Sequence, residues 1–246
     1  MQNKKSFKVL NALVLKILAM TLMLCSHLWS TVIAGNNWLN AIGRIAFPIF
    51  AFQIVEGFYK TKDFKKYLKR MFIFALISEL PFNLMAEGGW LYPFHQNVLF
   101  TFCIALIFMN WMEKARNISK KRFIFRVVVS IIIGYLVGFL TMVDYFGYGI
   151  LMVFVFYLFH NMKFGWIAEI ICLLYINFEM IGGLVYPLTI LGHNIELPQQ
   201  GFAVLALIPI WLYNGKQGPH SKVIKYICYA FYPVHMIILA ILMRIL

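Results

Sequence analysis

Apolar residues in this chain gather into long runs separated by short polar breaks, and the period-two alternation of half-buried strands does not recur along them. Runs near 9–33, 42–59, 67–85, 97–113, 123–142, 147–160, 164–178, 201–214 and 223–245 each predict a helix. A bilayer-crossing helix takes about 20 residues, whereas an outer-membrane barrel needs alternating strands of about 10. One stretch breaks the pattern. Residues 179–200 carry Glu179, Gly182, Gly183, Pro187, Gly192, His193, Glu196 and Pro198, and irregular backbone at membrane depth is tolerated only where it lines a cavity or is buried in protein. The pattern therefore predicts an all-α polytopic membrane protein of about nine transmembrane helices, within a range of roughly eight to ten. Residues 1–246 form a single domain, with 179–200 as an outer loop or re-entrant segment.

Composition agrees. Hydrophobic residues make up 62% of the chain and charged residues 13%, the reverse of a soluble domain's balance. The net charge of +13 would suggest nucleic acid in a soluble protein. Here Lys and Arg sit in the breaks between runs, where orientation and contact with membrane lipids explain them and nucleic acid does not. With the N-terminus inside, all of the 22 Lys and Arg except Lys16, Arg44 and Arg244 fall in cytoplasmic segments. A full crossing by 179–200 would move the loop holding Lys216 and Lys222 outside and break that pattern. Lys4, Lys5 and Lys8 before an apolar run resemble a secretion signal, but no small-residue cleavage pattern follows, so a retained first helix is expected. Cys25, Cys103, Cys172 and Cys228 are scattered singly, which indicates neither a disulfide framework nor a metal site.

Ionisable groups inside apolar runs are costly and often mark function. Lys16 and His27 lie eleven residues apart on the first run; at about 100° per residue they share one helix face, roughly 16 Å apart along the axis. A snorkelling lysine and a hydrogen-bonded core histidine would account for them. So would a site that holds an anionic group at Lys16 and does proton chemistry at His27. Arg44 opens the second run at the outer interface, Pro48 predicts a kink in it, and Glu56 closes it near the inner one. Glu79 stands beside Pro81 in the third run, and Asn97 follows His95-Gln96 at the start of the fourth. Asp144 lies in a glycine-rich outer turn, where it could serve as an N-cap. His27 and His235 are the deepest imidazoles; His160, His193 and His220 belong to loops or ends. No HExxH, GxSxG or Walker-type string is present.

Several strings resemble the TraX family: Leu15-Lys16-Ile17-Leu18-Ala19-Met20 running on to His27, Gly43-Arg44-Ile45-Ala46-Phe47-Pro48, Glu56-Gly57, Tyr67-Leu68-Lys69-Arg70, Ser78-Glu79-Leu80-Pro81-Phe82, Asn97-Val98-Leu99-Phe100-Thr101, Tyr213-Asn214-Gly215-Lys216 and Phe231-Tyr232-Pro233-Val234-His235. They follow the family's order along essentially the whole chain. The resemblance implies a bacterial, multi-pass cytoplasmic-membrane acyltransferase related to pilin acetylation and to the wider enzymes that acetylate envelope glycans. It implies acetyl-CoA as acyl donor and an unidentified envelope acceptor, either a pilin-type N-terminus or a glycan amine or hydroxyl. Those wider enzymes carry a basic residue and a histidine with ten residues between them, a spacing that Lys16 and His27 match. Under this reading His27 is the base, with Glu79 or Asp144 assisting; Lys16, Arg44 and Lys216 contact the cofactor; Glu56, Asn97 and His235 line the chamber; and no metal takes part. One departure stands out. The family commonly has Asp directly before this histidine, and this chain has Ser26, so Glu56, Glu79 or Asp144 would have to orient the imidazole. The competing expectation is a transporter or substrate-binding membrane protein without chemistry, its buried charges forming a permeation path.

Overall fold

The computed structural model describes residues 8–190 and 193–246, without the side chains of 188–190 and 193–195. Lys4 and Lys5, part of the argument for an inner N-terminus, lie outside these residues, as does Gly192. The helices are α1 (Ala12–Thr31), α2 (Asn37–Gly43), α3 (Ala46–Lys60), α4 (Phe64–Ala86), α5 (Val98–Arg116), α6 (Lys120–Leu140), α7 (Phe146–Phe159), α8 (Gly165–Leu174), α9 (Leu207–Trp211) and α10 (Lys222–Ile245). A π-helical segment, Tyr175–Ile181, extends α8, and a 3-10 segment, Gln199–Ala206, leads into α9. With α2 and α3 taken together, the helical rods match the nine apolar runs within a few residues. Five of them, α1, Asn37–Lys60, α5, α6 and α10, are long and apolar enough to cross a membrane.

Two local features mark breaks in these rods. The interruption of the Asn37–Lys60 rod is where Pro48 predicts it: a proline leaves the carbonyl four residues before it, here that of Arg44, without its helical donor. The break falls at Arg44–Ile45. The stretch 179–200 is neither loop nor helix for most of its length. Gly182 and Gly183, at φ 59° and 90°, end the π-helical segment in backbone that favours glycine. An antiparallel hairpin of β1 (Val185–Ile190) and β2 (His193–Pro198) follows, with Val185 opposite Pro198 and Ile190 opposite His193. The Tyr186 hydroxyl donates to the Asn37 carbonyl (2.9 Å) and its ring stacks on Trp38, which docks the hairpin on α2.

The rods alternate in direction. At one end the amides of Leu10 and Ala12 donate to the carbonyls of Leu212 and Lys216, Lys60 Nζ donates to the Tyr213 hydroxyl (2.7 Å) and the Gly215 carbonyl, and His160 meets Glu56. At the other end Gln96 pairs with Val143, and Arg44 reaches Tyr145. Segments predicted to share the basic side do share one end. The main core surrounds α7, whose Phe154, Phe156 and Tyr157 are buried among α3, α5 and α6. A smaller cluster of Phe82, Met85, Met236 and Leu239 joins α4 to α10, with Leu24 and Leu28 of α1 against it. Outward faces stay apolar, as with Ile132 and Leu136 on α6 and Ile237 and Ile241 on α10. Against lipid such a bundle is held by close packing and internal hydrogen bonds rather than by expulsion of water.

Candidate functional site

The polar face of α1 opens onto a cavity of about 400 Å³ between α1, α3, α4, α5 and α10. Met20, Phe50, Tyr67, Phe74, Phe102 and Tyr232 give it apolar walls. A second, more polar cavity of about 320 Å³ lies at the basic end, with Lys16, Arg70, Gln217, His220, Ser221 and Lys225 in its lining. The two share Lys16, Arg70, Cys228 and Tyr229, so a cationic mouth adjoins an apolar chamber across these four side chains. Neither lining contains a carboxylate. Gly57 makes part of this possible. A Cβ there would come within 2.7 Å of the Tyr67 hydroxyl, so glycine lets the chamber's tyrosine pack against α3.

One helical turn beyond Met23 and Tyr232, two linings of the chamber, α1 and α10 bring His27 and His235 together. His27 Nδ1 lies 2.7 Å from His235 Nε2, with the rings nearly parallel at 9°. His235 Nδ1 lies 2.7 Å from the Phe231 carbonyl oxygen, and the Phe231 ring stacks on the imidazole. His235 is buried at 6% exposure, so water has little room to replace these contacts. Pro233 lies between Phe231 and His235 in α10, and an internal proline removes one rung of the helical ladder.

Among the described residues no carboxylate hydrogen-bonds either imidazole. Glu79 accepts from the backbone and side-chain amides of Asn97, whose side-chain Oδ1 accepts from the Leu99 amide and caps α5. Asp144 accepts from the Tyr145 amide and sits 3.8 Å from His95; the residue at the start of α7 is Tyr145, in left-handed backbone, rather than an aspartate cap. Glu56 pairs with Lys60 (2.5 Å) and His160 (2.8 Å) at the basic end. Lys216 stands on the turn beside the mouth, its backbone tied to Ala12 and Asn214, while the neighbouring Gln217 supplies the lining. Arg44 lies at the opposite end, 2.5 Å from Asn40 and 3.5 Å from the Tyr145 hydroxyl, and not in the chamber wall. Ser26, in the place of the family's usual Asp, donates to that same Asn40 (3.2 Å) and packs where a Cβ on Gly43 would collide with it. The residue before His27 therefore serves the α1–α2 contact and not the imidazole.

A family model described as TraX protein matches residues 12–243. The chain belongs to the TraX family. Among curated proteins, this TraX chain is 26% identical to a protein described as probable fimbrial assembly protein FimC, serogroup H1, of Dichelobacter nodosus, over 93% of this chain and 94% of that one. No solved structure matches the chain. The TraX match spans both histidine-bearing helices, so the dyad and the chamber lie wholly within the shared region.

Arg70, Lys225, Tyr67 and Tyr232 did not stand out as site residues in the sequence. Arg70 reads as one more basic residue of an inner break, but α4 begins at Phe64, which puts Tyr67 and Arg70 three apart on one helical face. That spacing is the signal that could have found these two.

Proposed function

We propose that this chain is an acyltransferase of the bacterial cytoplasmic membrane. It takes acetyl from cytoplasmic acetyl-CoA and passes it to an amine or hydroxyl of an envelope acceptor, a fimbrial or pilin subunit or a glycan. The observation that carries the reading is the adjacency of the two cavities, which share Lys16 and Arg70 in their linings. Phosphate groups suit a mouth of Lys16, Arg70 and Lys225 that contains no acid, and the thinner, less charged arm of such a donor suits an aromatic-walled chamber of this size. The basic end then faces the cytoplasm, in keeping with the charge bias of membrane loops.

At the deep end His27 acts as general base. It accepts the proton that the acceptor loses as its nitrogen or oxygen bonds to the acetyl carbonyl carbon, and returns a proton to the sulfur as the carbon–sulfur bond breaks. Arg44, with Asn40 and Tyr145, stands at the far end, from which an envelope acceptor would approach. The fimbrial description of the curated relative favours a protein acceptor.

Purified protein in detergent, given acetyl-CoA labelled in the acetyl group together with fimbrial subunits or envelope glycan, is expected to bind the donor and move label onto one acceptor. Absence of both binding and transfer, with solute flux in liposomes, would overturn the proposal in favour of transport.

A further inference from the structure

The two imidazoles of the dyad are not equivalent. A carbonyl oxygen only accepts, so His235 Nδ1, 2.7 Å from the Phe231 carbonyl, carries a hydrogen. In a neutral ring its Nε2 then holds a lone pair. That Nε2 is the atom 2.7 Å from His27 Nδ1, so the hydrogen between the rings belongs to His27 Nδ1. The remaining nitrogen, His27 Nε2, is left without hydrogen, and no protein group among the described residues bonds to it.

We infer that His235 is a positioning residue that holds His27 in its Nδ1–H form and leaves Nε2 as the proton-accepting atom. This rests on His27 being the base of the proposed transfer. In histidine–acid pairs a carboxylate sets the tautomer; here a second imidazole does so, itself fixed by a carbonyl one turn earlier on the same helix. The lock is internal to α10 and does not wait for a ligand. It also suits the chamber. A buried carboxylate would have to be desolvated and would bring negative charge toward an anionic donor, whereas a neutral imidazole does neither. The proton balance closes: the acceptor's proton goes to His27 Nε2, the dyad carries one added proton shared along the Nδ1–Nε2 contact, and that proton leaves with the departing thiol.

The test combines nitrogen-15 spectra of histidine-labelled protein with kinetics. Wild type and His235→Gln, whose side-chain oxygen can accept where Nε2 did, are expected to show His27 as the Nδ1–H form. His235→Phe is expected to lose that preference. In turnover, His235→Phe should lower kcat about 100-fold with KM for acetyl-CoA within about two-fold, and His235→Gln should recover most of the loss, a rescue that a packing role would not give. Wild-type His27 in the Nε2–H form, or His235→Phe turning over at the wild-type rate, overturns the inference. Should His235→Phe fail to fold, the wild-type spectrum and the His235→Gln rate decide alone. The spectra use no acetyl-CoA, so the expected tautomer in a protein that transfers no acetyl group would count against the proposed function and not against the geometry of the lock.

Discussion

Two of the histidine centres among the described residues are built in opposite ways. His95, in the segment between α4 and α5, lies 2.8 Å from Glu87 and 3.8 Å from Asp144. Asp144 beside it, followed by Glu87, raises its pKa from 6.5 to about 9, against the opposing effect of partial burial. It is thus a cation at neutral pH, which ties the turn of Asp144 to the loop of Glu87. His27 has no carboxylate at all and shares its hydrogen with His235. A histidine flanked by two acids resembles a catalytic arrangement, but a ring that is already protonated cannot accept a proton. Under the proposed function, the bare imidazole pair beside the chamber is the one suited to general base chemistry.

The largest expected effect separates these centres directly. His27→Ala should lower acetyl transfer by about 10²–10⁴-fold, with expression and melting temperature matched to wild type. His95→Ala should leave transfer within a few-fold and act mainly on stability. Rates measured side by side in detergent check both, and a reversed ranking would move the base to the outer loop and undo the comparison.

A smaller effect is expected at the mouth. Lys16→Ala or Arg70→Ala removes a charge-assisted contact to donor phosphate, which in general is worth about 1.5–3 kcal/mol. KM for acetyl-CoA should therefore rise by about ten-fold or more, with kcat little changed and the difference shrinking at high salt. Lys216→Ala, beside the mouth but outside its lining, should raise KM far less. Equal effects at Lys216 and Arg70 would show that field strength at the basic end, and not the lined cavity, binds the donor.

How much of this could be read from sequence depended on whether the signal was local. The helical rods were legible because apolar length is the strongest pattern a membrane helix writes, and Gly182 and Gly183 marked the break after α8. The hairpin was not, since strands of six residues around Pro187 carry no clean alternation. Pro48, by contrast, was legible, since the break it predicts falls one turn before it, at Arg44–Ile45. The site divides along the same line. Lys16 and His27 share one helix and could be placed by counting residues. The partner of His27 lies 208 positions away, on a helix whose contact with α1 no local pattern encodes, and the missing Asp before His27 directed attention to carboxylates. Glu79 and Asp144 instead accept from amides of Asn97 and Tyr145, which lie nearer to them than either imidazole does.

The smallest expected effect concerns His95 and pH. Its pKa is raised on folding from 6.5 to about 9, so its contribution to stability is fully present below pH 6.5 and is lost as pH rises through about 9. The side chain remains 34% exposed, and solvent screening holds such a contribution to about 1 kcal/mol or less. The melting temperature of wild type in detergent should therefore fall by a few degrees more between pH 7 and 10 than that of His95→Gln, which cannot titrate but keeps a donor toward Glu87. The sign matters more than the size. If the two proteins follow parallel curves, His95 is not held charged by its acids, and the contrast with the bare dyad loses its electrostatic basis. If wild type gains relative to the variant as pH rises, the ring is stabilised neutral in the folded protein, and the outer centre would regain a claim to base chemistry.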